Sequence, residues 1–323
     1  MKISVVMAVY NGEKYLVQQM DSIRNQTRPP DEMLLADDQS SDSSVEIIRK
    51  YIQKYNLPWK VTINKERKGF GGNFFSLMNQ CSGDLIFPSD QDDVWRLDKI
   101  ERMSEIMEKT PEISVLISEY RLVPSTFSCS DLNKKCMSPL SKNSSVVRLT
   151  LHDVITKKDK SCPFAGMAQC IRFSFYFDCF KDVKRFPLVH DRLMVLLAAD
   201  ESGFYKLNDF TVFHRVHSNN TSGINRSFLN RVFDFSISDR LKLLESFKNE
   251  DQSYLESGVI LSECLRNYLT ALSKYQNEKF HAIQTGDGKR LFRVFWQNRK
   301  KGHISLISFL SDCRYVLLRK ILN

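Results

Sequence analysis

The chain has 323 residues, 42% apolar and 26% charged, with 47 Lys+Arg against 38 Asp+Glu and a formal net charge of +9. That length and apolar share exclude a disordered chain and suit one large α/β domain or two smaller ones. The longest apolar run, the seven residues Leu193 to Ala199, is far short of a membrane span, and Met1 to Met7 lacks a signal cleavage site, so neither an integral membrane nor a secreted protein is expected.

In chain order, Ile3–Val9 reads as a buried strand and Glu13–Asn25 as a helix. Met33–Ala36 is a short strand, and Ser43-Ser44-Val45-Glu46 reads as a capping box opening a helix to Tyr55. Strands at Val61–Asn64, Leu85–Phe87 and Ile113–Ser118 alternate with helices at Gly72–Gln80 and Lys99–Glu108. Repeated βα units predict an open α/β sheet with helices on both faces. Pro124–Ser145 is an irregular excursion, Leu149–Ile155 resumes structure, and Phe164–Arg172 with Phe173–Phe180 reads as strand then helix. His190–Ala199 is helical, Tyr205–Arg215 strand, and Asn219–Ser227 a turn-rich loop. Helices follow at Arg240–Phe247, Tyr254–Tyr275, Lys289–Trp296 and Ile304–Ile321. The eight cysteines form no CxxC pair, which reads as the scattered thiols of a cytoplasmic protein.

Ligands of an open parallel sheet bind beyond the carboxyl ends of its strands. Two acid clusters fall there, Asp37-Asp38 with Asp42, and Asp90-Gln91-Asp92-Asp93. The single glycine of Tyr10-Asn11-Gly12-Glu13 excludes a dinucleotide fingerprint, and Lys68-Gly69-Phe70-Gly71-Gly72-Asn73 lacks a P-loop ending. The latter reads either as a flexible turn into a helix or as close backbone approach to a nucleotide. Three carboxylates within four residues repel one another, and a hard cation bridging to a diphosphate uses them all, whereas a capped surface turn uses one. Asp37-Asp38 reads as a capping pair or as a carboxylate accepting N3–H of a pyrimidine. On residue type alone His190-Asp191 is a helix-start acid beside a surface imidazole, and His217 a structural histidine.

The segments Val6-Met7-Ala8-Val9-Tyr10-Asn11-Gly12, Asp37-Asp38-Gln39-Ser40-Ser41-Asp42 and Asp90-Gln91-Asp92-Asp93, in that order and spacing, resemble glycosyltransferase family 2, inverting enzymes of GT-A fold. Ser89-Asp90-Gln91-Asp92-Asp93-Val94-Trp95, His190-Asp191 and Arg215-Val216-His217-Ser218-Asn219-Asn220 are similar to its bacterial rhamnosyltransferase branch, which builds surface and capsular polysaccharides. The resemblance implies a GT-A catalytic domain over residues 1–225, with a nucleotide-binding half at 1–120 and an acceptor half at 121–225, followed by a helical region at 226–323. It makes Asp38 the nucleobase acid and places Ala8, Tyr10, Asn11, Glu13, Gly69, Asn73, Asp90 and Gln91 around the nucleotide. Asp92, Asp93 and His217 become metal contacts for Mg²⁺ or Mn²⁺, and Asp191 the general base. Gln39 stands where the family usually has Gly, which predicts an altered turn. Arg192-Leu193 and His214 also depart from the branch.

The implied reaction is inverting transfer of a sugar, rhamnose from dTDP-rhamnose, to a lipid-linked or growing polysaccharide acceptor. A UDP-hexose donor and a catalytically silent assembly subunit are the alternatives. Asp191 as an ordinary carboxylate is ionised at pH 7 and can take the acceptor proton. Residues 289–323 carry nine Lys/Arg and one Asp, +8 of the total +9. The apolar face Ile304, Ile307, Leu310, Cys313, Leu317 and Ile321, flanked by these cations, suits either packing or peripheral binding to an anionic membrane at the inner face of the cell membrane. The helical C-terminal third equally suits a homodimer, and no nucleic-acid motif accompanies the charge.

Overall fold

The computed structural model describes residues 1–127, 145–155, 164–183, 190–217 and 237–299, together with 312, 313 and 316. The chain divides into two compact units, one of Met1–Thr150, Ser161–Lys181 and Leu188–Asn220, the other of Leu151–Lys160, Asp182–Pro187 and Thr221–Asn323.

The first unit is built on a nine-stranded mixed sheet. Its parallel part holds β1 (Ile3–Val9), β2 (Glu32–Asp37), β3 (Lys60–Ile63) and β4 (Leu85–Ser89) in the order β3-β2-β1-β4, connected through α1 (Leu16–Arg24), α2 (Ser44–Tyr55) and α3 (Gly69–Met78). β1 and β4 are apolar almost throughout because both faces of a parallel strand are covered. The register pairs Val9 with Asp37, Asp37 with Ile63, and Met7 with Ser89. Four loops rich in polar residues therefore leave the sheet along one edge.

The remaining elements are β5 (Val94–Trp95), α4 (Lys99–Lys109), β6 (Val115–Pro124), β7 (Val146–Arg148), α5 (Leu151–Ile155), a 3₁₀ turn at Gly166–Ala168, β8 (Gln169–Arg172), α6 (Phe173–Phe180), α7 (His190–Asp200) and β9 (Phe204–Val216). α5 belongs to the second unit and the others to the first. β8 runs antiparallel between β4 and β6; β9 is parallel to β6 and antiparallel to β5 and β7. The expected open α/β sheet is present, and its second half is mixed. β5, at two residues, is too short to carry a periodic signal in the sequence.

In the second unit, α8 (Ile237–Glu256), α9 (Glu263–Thr285) and α10 (Gly288–Arg299) bury Leu244, Ala282, Ile283, Leu291 and Val316 in one cluster and Leu272, Tyr275 and Val294 in another. The continuous helix expected over Tyr254–Tyr275 is interrupted: Gly258 turns at φ +84°, and Ser262 caps α9 by accepting the Leu265 amide at 3.1 Å. Lys279 and Asp312 form a buried ion pair at 2.7 Å. The loop expected at Asn219–Ser227 and most of the helix expected at Ile304–Ile321 lie outside the described residues. Among the described residues Cys81, Cys170, Cys179, Cys264 and Cys313 are free thiols.

The capping box expected at Ser43–Glu46 does not form. Ser43 makes no cap hydrogen bond, and Glu46 pairs with Lys50 along α2. Asp42 holds the helix start, its Oδ1 accepting the Ser44 amide at 3.0 Å and its Oδ2 the Glu13 amide at 3.0 Å. Asp42→Ala is expected to cost about 1–2 kcal/mol, whereas Ser43→Ala stays within about 0.5 kcal/mol, in urea denaturation.

Candidate active site

The loop after β1 is tied to both neighbouring loops. The Gln91 side chain bridges Tyr10, accepting its amide at 2.9 Å and donating to its carbonyl at 2.8 Å. A Cβ on Gly12 would lie 2.3 Å from Gln91 Oε1, so glycine leaves room for this bridge. Asn11 Oδ1 accepts the Ser41 amide at 2.8 Å, and Glu13 Oε2 accepts the Ser43 amide at 3.0 Å. These two side chains, expected around the nucleotide, fasten the loop after β1 to the 40–44 turn. Tyr10 is exposed, and the Arg67 guanidinium stacks over its ring at 3.9 Å. Ala8, half-buried, sits one residue before the end of β1 in register with Ala36.

Asp38 is buried and heavily used. Its Oδ1 accepts from Asn64 Nδ2 at 2.9 Å and the Lys68 amide at 2.8 Å, and its Oδ2 accepts the Gly69 amide at 2.9 Å. It therefore anchors the start of α3, which begins three residues before the predicted position. These bonds are the capping use of the Asp38 carboxylate. Asn73 is also committed internally, donating to the Ala36 carbonyl at 2.8 Å and accepting from Asn64 at 3.0 Å. Gly69 has φ +70°, which its lack of a Cβ permits. Gln39 has φ +64° and donates from Nε2 to the Lys65 carbonyl at 2.7 Å. The residue that stands in place of glycine thus takes the left-handed backbone glycine would favour.

The acid cluster is shaped by the β5–β9 ladder. Val94 pairs with Phe213 and Trp95 with Val212. Continuing that antiparallel register brings Asp93 beside His214, whose Nδ1 lies 2.8 Å from Asp93 Oδ1. The Arg215 amide donates to the same oxygen at 3.2 Å, and His217 Nε2 lies 2.8 Å from Asp92 Oδ2. His217 also stacks on Tyr15, ring centroids 4.9 Å apart. Arg215 is wholly buried, donating to the Asp92 carbonyl at 2.9 Å, Gln18 Oε1 at 2.7 Å and the Phe127 carbonyl. Tyr15, Gln18, Arg67 and His214 belong to no motif of the sequence; the β5–β9 register places His214, and contacts with His217, Arg215 and Tyr10 place the other three.

Burial and the neighbouring Asp93 and Asp92 charges push Asp90 well above the usual carboxylate range. Asp92 is raised by burial and by Asp93, against the opposing hydrogen bond from His217. Burial alone would lower His214, but its Asp93 hydrogen bond and the surrounding carboxylates raise it to about 9. The carboxylates thus draw His214 towards its protonated form beside the cluster. The stability it contributes is present below its ordinary pKa near 6.5 and is lost as pH rises through about 9.

Asp191 opens α7, its Oδ1 accepting the Arg192 amide at 2.7 Å. Its charge is the least of the influences that raise Asp90. His190 has a different task. Its ring stacks on Phe74 at 4.4 Å, edge-on to Phe70 and Phe75, and burial lowers its pKa to about 3. The surface imidazole suggested by residue type is a neutral, buried anchor of the helix start. A Cβ on Gly166 would lie 3.2 Å from Asp191 Cβ, so the 3₁₀ turn lies directly against the acid. Lys99, buried behind the sheet with its pKa lowered to about 7 by burial, donates to the Met167 carbonyl of that turn at 2.9 Å.

Residues 4–155 match the family described as Glycosyl transferase family 2. The uncharacterized glycosyltransferase alr2836 of Nostoc sp. is 31% identical over 117 residues, 36% of this chain and 36% of that protein. The poly(ribitol-phosphate) beta-glucosyltransferase of Bacillus spizizenii is 35% identical over 95 residues, 29% of this chain and 15% of that protein. The matched stretch thus spans well under half of these curated relatives. The crystal structure of S. aureus TarS 1-349 in complex with UDP-GlcNAc aligns over 93% of this chain and 78% of that chain, with a TM-score of 0.55 and 16% identity. TarS 1-349 in a second crystal structure aligns over 93% and 92% with a TM-score of 0.54 and 17% identity. The open mixed sheet flanked by helices is thus the GT-A arrangement expected from the sequence.

One ligand atom each from Asp90, Asp92 and Asp93 lies within 4.8 Å of the others, and among the described residues Asp93 Oδ2 is buried without a hydrogen-bond partner. A set of carboxylate oxygens suits a hard divalent cation. Because the native state holds Asp90 at a raised pKa, the stability it supports at acid pH is lost as pH rises through that value. Asp90→Asn is accordingly expected to raise the melting temperature of the metal-free protein at pH 7.5 by a few degrees, on the order of 1 kcal/mol of relieved repulsion. The gain should vanish at pH 4 in the same melting experiment.

Proposed function

We propose that this chain is a metal-dependent, inverting glycosyltransferase that moves a sugar, L-rhamnose from dTDP-rhamnose, onto a lipid-linked or growing surface-polysaccharide acceptor. The observation that carries this reading is the cluster of Asp90, Asp92 and Asp93 on the loop between β4 and β5, with Asp191 in the first turn of α7 as a further carboxylate of the same unit. Inverting transfer needs a base on one side of the anomeric carbon and a stabilised leaving group on the other.

In this reading Asp191 accepts the proton of the acceptor hydroxyl as the new glycosidic bond forms and the bond to the nucleoside diphosphate breaks. Asp92 and Asp93, with Asp90 and His217, would hold Mg²⁺ or Mn²⁺, which neutralises charge on the departing diphosphate. Tyr10 with Arg67 offers a stacking face for the base. Asp38, through Lys68 and Gly69, sets the backbone of the loop that approaches the nucleotide, while Ala8, Asn11, Glu13, Asn73 and Gln91 hold the surrounding loops in register. The protein would act at the inner face of the cell membrane as a peripheral protein; no helix among the described residues is long and apolar enough to cross one.

A UDP-hexose donor is the second reading, favoured by the UDP-GlcNAc carried by the TarS crystal of like fold. Thermal melting with dTDP, UDP, GDP and their sugars, with and without Mn²⁺ or Mg²⁺, tests both. The expected result is a metal-dependent rise with dTDP ligands that Asp92→Asn loses. Asp191→Asn should keep that rise yet lower turnover at least about 100-fold. A rise with UDP ligands alone assigns the second donor; no rise with any nucleotide overturns the catalytic reading in favour of a silent assembly subunit.

A further inference from the structure

α10 presents two different faces. Leu291, Val294 and Phe295 are buried, while Lys289, Phe292, Arg293, Trp296 and Gln297 are exposed at intervals of three and four, which is a single helical stripe. Phe292 is 55% and Trp296 59% exposed, and their rings stack 6.1 Å apart at 16°. Two large aromatics more than half exposed, side by side on one helix face, mark a contact surface rather than a scattered exposed residue. Its charge identifies the partner. Arg290, beside the stripe, is ion-paired with Glu278 at 2.8 Å, but Lys289 and Arg293 flank the aromatics, and residues 288–311 contain six Lys/Arg and no carboxylate.

We propose that this stripe of α10 is the surface that contacts anionic phospholipid, the Phe292 and Trp296 rings entering the headgroup region while Lys289 and Arg293 meet the phosphates. Aromatic rings on the same face as cations are the composition of an interfacial helix. The inference rests on the reading above that the acceptor is presented at a membrane, and adds the surface that meets it. It differs from the apolar face at 304–321 considered from sequence, since the residues named belong to α10 and face outward.

The test uses the full chain with vesicles of phosphatidylcholine alone or containing about one-third phosphatidylglycerol. Trp59 and Trp95 are buried, so a vesicle-induced change in tryptophan emission reports Trp296. The wild type should pellet with the anionic vesicles, shift its emission to the blue and be quenched by brominated lipid. Phe292→Ala with Trp296→Ala should lower partitioning about tenfold or more, and Lys289→Gln with Arg293→Gln about tenfold, in a salt-sensitive manner. Lys60→Gln, an exposed cation in the other unit, should change nothing. Unchanged pelleting of both α10 double variants overturns the inference and leaves membrane placement standing. Equal binding to neutral vesicles also overturns it. Absence of wild-type binding to either vesicle overturns both the inference and the membrane placement, while the nucleotide melting experiment judges the catalytic reading separately.

Discussion

Three carboxylates forced into one turn are the constraint around which the first unit is organised. Ligand atoms of Asp90, Asp92 and Asp93 within 4.8 Å of one another, partly screened from water, repel strongly enough to spread the loop unless cations and donors hold it. The protein supplies them from β9. His214 gives Asp93 a charged hydrogen bond, the Arg215 amide adds a second, and His217 reaches Asp92. The Arg215 guanidinium then fastens the Asp92 carbonyl to α1 and to the chain beyond β6. Without β9 there would be no acid cluster, only a repelling loop.

That dependence explains why the sheet changes character. A wholly parallel sheet would send only the outgoing loops of β1, β2, β3 and β4 to the ligand edge. The antiparallel β5–β9 ladder carries a second chain segment back along the acids, so that His214, Arg215 and His217 beyond Phe213 meet Asp93 and Asp92 before Val94. Charged partners arrive by register, not by loop length. The 3₁₀ turn at Gly166–Ala168, held by Lys99 through the Met167 carbonyl, packs against Asp191.

The acids at the strand ends were legible because carboxylates have no use in a buried parallel strand, so their appearance just after one marks an edge. The parallel half followed from its periodicity for the same reason. What could not be read was how donors and acceptors would be spent. Asn11, Glu13, Asp38 and Asn73 sit in the expected place, yet their polar atoms satisfy the 40–44 turn, the start of α3 and the β2 carbonyl. Residue type cannot distinguish a carboxylate that meets a ligand from one that shapes the loop meeting it, since both use the same oxygens. Asp42 took the cap assigned to Ser43, and the helix expected across 254–275 broke at Gly258 and Ser262, where apolar periodicity outweighed the turn signal in the reading.

Gln39 shows the same division at the scale of one residue. A left-handed backbone at a non-glycine position costs about 1 kcal/mol, and here the side chain offsets it by bonding across to Lys65. Glycine at this point would keep the shape but leave the 64–68 segment, with Arg67 and the Lys68 amide, less firmly tied to β2. The glutamine converts a permissive turn into a braced one. Rigidity accordingly lies in the loops that frame the edge, through Gln39, Asp38 and Gln91. The charge that would be relieved by a cation lies in the acids they surround. A site built this way holds its unfavourable electrostatics in place before any ligand arrives, so ligand binding would relieve repulsion without first ordering the chain.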